Sequence, residues 1–234
     1  MIDALTQRLA AGEMTRIVAY GSSNTERFMP WLNWFDWLDL AIRSRYGKNH
    51  LAINAGIGGD TTRGLLARFD RFVAACRPDV VIVTIGGNDS APGHGISAEE
   101  FAGNLRRLVA RIGALPQPCL PVLQTYYSAD LEVMAANEGE ERAARFTAFM
   151  QAVRDVAAAE GCPLVDHLAG WEVLRTGDLR LYRSLMTDAM HLNAEGNLLM
   201  GVVAARHVGI GEFPAEYPLP PPVAAALAVM DRGA

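Results

Sequence analysis

Four short segments of this 234-residue chain carry the side chains that can do chemistry. Gly21, Ser22, Ser23 and Asn24 end one apolar run, "NAGIGGDTT" (54–62) ends a second, and "GGND" (86–89) ends a third. Asp188 and His191 stand in "TDAMHLN", late in the chain. These types meet the needs of acyl transfer. A serine hydroxyl needs an adjacent base, and the base needs an orienting partner. The oxyanion needs fixed donors, which glycine turns offer as backbone N–H groups and asparagine offers from its side chain. Either Ser22 or Ser23 could be the nucleophile at this point.

Other chemistries fit less well. The glycines at 56–59 follow a strand and open a helix, as a phosphate cradle would. Asp60 stands where a P-loop requires Lys, and Thr61 where a dinucleotide fingerprint beginning at Gly56 requires glycine. Asp188 and His191 could ligate a metal, but no second His–carboxylate group has matching spacing, so neither metal nor cofactor is expected. Asn88 and Asp89 taken alone read as a turn. His50, His94, His167 and His207 lack motif context and read as surface or structural; His94 is notable for its glycine-containing loop just past Asn88. Trp31, Trp34 and Trp37 read as a helix face facing the core, with a part in lining an acyl pocket as the alternative. Tyr126 and Tyr127, at a strand end, could line the same mouth.

The elements that must position these residues alternate. Strands are expected at 15–20, 50–56, 79–87, 120–127 and 162–167, the third rich in β-branched residues and apolar on both faces. Helices are expected at 30–47, with Pro30 in the first turn and Gly47 at the end, and at 61–77. A third carries the stripe Phe101, Leu105, Leu108 and Ile112. A fourth spans 139–160 and a fifth 193–209, capped by Asn193. Such alternation predicts an α/β fold with a parallel sheet of about five strands and helices on both faces, joined by right-handed crossovers. Ligands of such a sheet bind beyond the carboxyl ends of its strands, where the glycine, serine and asparagine segments fall. Residues 1–215 read as a single domain. Residues 216–234 read as a Pro/Ala-rich tail: a docked helix, a subunit contact or a loose end.

Half of the residues are hydrophobic, a fifth are charged, and the formal net charge is -5. Lys and Arg are scattered, which argues against nucleic acid or an anionic membrane surface as partner. The N-terminus lacks the apolar core of a signal peptide, and no apolar stretch is long enough to span a bilayer. Cys76, Cys119 and Cys162 form no metal or redox motif and read as reduced thiols, so a cytoplasmic protein is expected.

Together the segments "AYGSSNT", "NAGIGGDTT", "TIGGND" and "DAMHLN", in this order between residues 17 and 193, resemble the SGNH (GDSL-type) hydrolase family. The resemblance implies a flavodoxin-like three-layer α/β/α sandwich. It implies Ser23 as nucleophile, His191 as general base and later acid, Asp188 as its orienting acid, and an oxyanion hole of the Ser23 N–H, Gly59 and Asn88. The chain departs from the pattern at Ser22, where the family has the Asp of Gly-Asp-Ser, which puts the hydrogen bonding of the nucleophile turn in question. The expected activity is a serine esterase removing short acyl groups, acetyl foremost, from a carbohydrate or small polar alcohol. The alternatives are a short-chain carboxylesterase or lysophospholipase, an acyltransferase on the same scaffold, or a non-catalytic binding module. The acyl length, the ester and the oligomeric state are left open.

Overall fold

The structure, a computed structural model, describes residues 2–233. In chain order it runs α1 (Asp3–Ala10), β1 (Thr15–Gly21), α2 (Trp34–Tyr46), β2 (His50–Asn54) and α3 (Thr62–Phe72). It continues with β3 (Val80–Thr84), α4 (Ala98–Gly113), β4 (Leu120–Gln124), α5 (Leu131–Glu138) and α6 (Glu140–Glu160). It closes with β5 (Leu164–Val165), α7 (His167–Gly177), α8 (Leu179–Ser184), α9 (Ala194–His207) and α10 (Pro221–Arg232).

The five strands are all parallel in the order β2-β1-β3-β4-β5, the doubly wound flavodoxin-like arrangement. Alternation along the strands divides the core in two, because successive side chains point to opposite faces. Ile17, Ala19, Val80, Ile82 and Val122 pack with α1, α2 and α7–α10 on one face. Val18, Tyr20, Val81, Val83 and Leu123 pack with α3–α6 on the other. The stripe Phe101, Leu105, Leu108 and Ile112 is buried on the second face, as its spacing predicts. In α10, Val223, Ala226, Leu227 and Met230 join the first cluster beside Trp171 and Leu198. No helix among the described residues is long and apolar enough to cross a membrane.

The structure corrects several boundaries. The helix expected from residue 30 begins at Trp34, because Asn33 closes a capping box. Its side chain accepts from Phe35 N at 2.9 Å and Asp36 N at 3.2 Å, while Asp36 accepts from Asn33 N at 3.0 Å. Pro30 therefore lies in a loop, not in the first helical turn. The helix expected to reach residue 77 stops at Phe72 and gives way to a 3₁₀ turn ending at left-handed Arg77. The strands expected at 50–56, 79–87 and 120–127 end at residues 54, 84 and 124, where the site loops begin. Helices α1, α5, α7 and α8 fall where the sequence pattern predicts none, and His167, expected in a strand, opens α7.

Candidate active site

β1 ends at Gly21, where a Cβ would come within 2.4 Å of the Thr84 carbonyl on neighbouring β3. Only glycine allows that approach. The chain then turns: Ser22 O accepts Thr25 N and Glu26 N, each at 2.9 Å. The turn separates the two serines. Ser22 is buried, with Oγ 2.7 Å from the Tyr126 hydroxyl. Ser23 is half-buried and faces His191, with Oγ 3.0 Å from Nε2.

His191 sits in a tight turn closed by a Met186–Leu192 bridge and by Thr187 N donating to His191 O at 2.8 Å. Asp188 Oδ1 accepts Met190 N at 2.7 Å and His191 N at 2.8 Å, while Oδ2 accepts His191 Nδ1 at 2.8 Å. The three-residue spacing is what lets one carboxylate hold both the backbone and the ring. Burial pushes the Asp188 carboxyl up, but the His191 hydrogen bond and the two backbone donors outweigh it and hold it below its usual range. With Nδ1–H donated to Asp188, Nε2 presents a lone pair to Ser23.

The second loop runs alongside. Ile57 N donates to Gly21 O at 3.1 Å, and a Cβ on Gly58 would lie 3.9 Å from Ser23 Cβ. Gly59 has φ +76°, in the left-handed region that favours glycine. Among the described residues, neither Ser23 N–H nor Gly59 N–H has a protein acceptor. Asn88 Nδ2 donates to Asp60 O at 2.9 Å, leaving its other N–H free of protein partners. Asp89 is buried behind it; Oδ1 accepts Thr62 N at 2.8 Å and Thr62 Oγ1 at 2.5 Å, and burial raises its carboxyl above the usual range. Arg68 ties these loops together. Its guanidinium bonds Ala55 O at 3.0 Å, Gly21 O at 3.1 Å and the Asp60 carboxylate, and lies over the Tyr20 ring.

Tyr126 and Tyr127 do not line the mouth: both are buried behind the site. Tyr127 bonds Asn24 Oδ1 at 2.7 Å and reaches Met190 O, so the pair supports the Ser23 and His191 turns from beneath. Of the tryptophans, Trp34 is core, Trp37 packs on Phe213 and Tyr217, and Trp31 lines the cleft. His94 lies in a 3₁₀ turn outside the cleft, and His50 pairs with Asp39 at 2.6 Å. His167 is fully buried with neither ring nitrogen partnered among the described residues, and desolvation lowers its pKa to about 3.

Ser23 and His191 line a narrow cleft continuous with solvent. Its walls include Glu26, Arg27, Phe28 and Met29, none of which the sequence singled out. The available signal was position: charged and aromatic residues in a loop directly past a strand's carboxyl end. Phe28 is half exposed, its ring edge-on to His191 with centroids 6.2 Å apart.

The profile of the GDSL-like Lipase/Acylhydrolase family matches residues 19–199. An acetylxylan esterase from Geobacillus stearothermophilus is 26% identical over 167 residues, 67% of this chain and 71% of that protein. The crystal structure of Axe2, an acetylxylan esterase from the same organism, matches with TM-score 0.72 at 22% identity, covering 88% of this chain and 99% of that one. A lipase/acylhydrolase from Enterococcus faecalis matches with TM-score 0.68 at 25% identity, covering 83% and 95%.

Proposed function

We propose, for a chain that belongs to the GDSL-like lipase/acylhydrolase family and is a carboxylic ester hydrolase, that it removes short acyl groups, acetyl foremost, from a carbohydrate or small polar alcohol. The observation that carries this reading is the hydrogen-bonded series Ser23 Oγ, His191 and Asp188, at 3.0 and 2.8 Å, beside the unpartnered N–H groups of Ser23 and Gly59.

Ser23 Oγ attacks the ester carbonyl carbon while its proton passes to His191 Nε2. The carbonyl oxygen gains the charge and is held by the Ser23 and Gly59 N–H groups and the free N–H of Asn88. Asp188 orients the ring and stabilises the imidazolium. The tetrahedral adduct collapses, the C–O bond to the alcohol breaks, and His191 returns the proton to the leaving oxygen. Water then attacks the acyl-serine, His191 takes its proton, and the acid departs as the proton returns to Ser23.

Acetyl and carbohydrate come from the acetylxylan esterase relative, together with a small cleft opening straight to solvent. The test is a panel of acetylated sugars against p-nitrophenyl esters of rising chain length. The expected result is activity on the sugars and on acetyl over longer chains; a preference for octanoyl over acetyl overturns the acyl assignment. Ser23→Ala abolishes hydrolysis and fluorophosphonate labelling, whereas Ser22→Ala retains both. Loss with Ser22→Ala alone identifies the other serine as nucleophile.

A further inference from the structure

Among the described residues, Glu26 is the sole carboxylate of the cleft wall, and it is not part of the Asp188–His191 pair. Its place is built from both directions. Its own N–H donates to Ser22 O at 2.9 Å, and its Oε2 accepts Gly58 N at 2.8 Å. A Cβ on Gly56 would stand 2.4 Å from Glu26 N, and a Cβ on Gly58 2.6 Å from Glu26 Oε2. Two glycines of "GIGGD" thus make room for this residue. The same Gly58 Cβ position is 3.9 Å from Ser23 Cβ, so the carboxylate is fixed close to the nucleophile.

Nothing in the cleft neutralises it. Among the described residues of the cleft wall Arg27 is the sole Arg or Lys, and its Nε is taken by Asp36 Oδ1 at 2.6 Å. Glu26 Oε1 has no protein partner among the described residues. A carboxylate oxygen only accepts hydrogen bonds, so what it recognises must be a donor. A phosphate or carboxylate in the same place would face a like charge, and the guanidinium of Arg27 is already paired with Asp36.

We propose that Glu26 selects the alcohol half of the substrate: its free oxygen accepts a hydrogen bond from a hydroxyl neighbouring the ester, and its charge turns away alcohols bearing phosphate or carboxylate. The substrate class is therefore esters of uncharged polyhydroxy alcohols. This rests on the reading of Ser23 as nucleophile, and it makes a phospholipid a poor substrate.

The charge part is tested with methyl 4-acetoxybenzoate and 4-acetoxybenzoate, each kcat/KM being divided by the rate of alkaline hydrolysis of the same ester, because the carboxylate also makes the departing phenolate more basic. The wild-type protein is expected to favour the neutral ester in kcat/KM by about fivefold or more, the size of a partly exposed like-charge contact, and less so at high salt. Glu26→Gln keeps an acceptor for Gly58 N–H but loses the charge, and is expected to bring the ratio to within about twofold. Equal rates in the wild-type protein, or a ratio unmoved by Glu26→Gln, overturn the proposal. The wild-type salt dependence stands even if the variant does not fold. The hydroxyl part is read from KM: Glu26→Gln is expected to raise it for a partly acetylated methyl glycoside and not for the peracetylated one, and an equal rise overturns it. Failure to cleave either benzoate ester would instead remove the esterase reading of the site.

Discussion

Tyr127 directs its buried hydroxyl at the main-chain oxygen of Met190, the residue before His191, and the same hydroxyl lies 2.7 Å from Asn24 Oδ1, the residue after Ser23. One hydroxyl from the loop after β4 thus shares its single proton between the turn that carries Ser23 and the turn that carries His191, which Asn24 Nδ2 also links by donating to Met190 O at 3.4 Å. The Ser23–His191 distance of 3.0 Å spans 168 residues of chain, and this hydroxyl braces both of its ends. Tyr127→Phe is expected to lower kcat about tenfold, at the strength of a buried hydrogen bond, with KM little changed. A variant with unchanged kcat would mean the turns hold themselves in place.

Ser22 stands in a different relation to the chemistry. Its hydroxyl pairs with Tyr126 beneath the site, so Ser22→Ala leaves a buried phenol without that partner. The expected cost is about 1–3 kcal/mol of stability, measured by denaturant unfolding, with ester hydrolysis largely retained. A fall in activity at unchanged stability would assign Ser22 a part in catalysis.

In the proposed mechanism Asn88 supplies the side-chain donor for the oxyanion, and Asn88→Ala removes it together with its tie to Asp60 O. By comparison with other oxyanion holes, kcat is expected to fall about a hundredfold or more. An unchanged kcat on a p-nitrophenyl ester would exclude Asn88 from the mechanism.

His167 makes stability depend on acid. Desolvation lowers its pKa from 6.5 to about 3 in the folded chain, so between these values the unfolded chain takes up a proton that the folded chain refuses. Stability contributed by the neutral ring is present above pH 6.5 and is lost as pH falls, by about 1.4 kcal/mol per unit at most. His167→Phe is expected to flatten the fall in unfolding midpoint between neutral and mildly acid pH. An equally steep fall in the variant would place the acid sensitivity elsewhere.

Much of the architecture is written locally. The β-branched run of β3, apolar on both faces, marks a central parallel strand, and the stripe of α4 marks its buried face. Because the strands are parallel, segments that follow them share one edge of the sheet, which is why Ser23, Gly59 and Asn88 could be grouped from sequence order. The Asp188–His191 contact is local too, made within one short turn. Pro30 signals a helix start, but the capping box of Asn33 and Asp36 sets the first turn of α2 four residues later. The short helices α5 and α8 offered too few turns for a period to emerge.

The sequence by itself determined the five strands, the helices long enough to show a period, and the loops that meet at the sheet edge, since periodicity and turn chemistry act over a few residues. Residue types alone left Ser22 and Ser23 equal and the family resemblance pointed to Ser23, but only the tertiary structure shows that Ser23 is the one facing His191. Ser22 and Ser23 are neighbours, and a turn sends one to Tyr126 and the other to His191, partners 104 and 168 residues away. It likewise put Tyr127 behind the site and Glu26 beside it. Side-chain direction at the end of a strand depends on what distant segments pack there, and no local pattern carries that information.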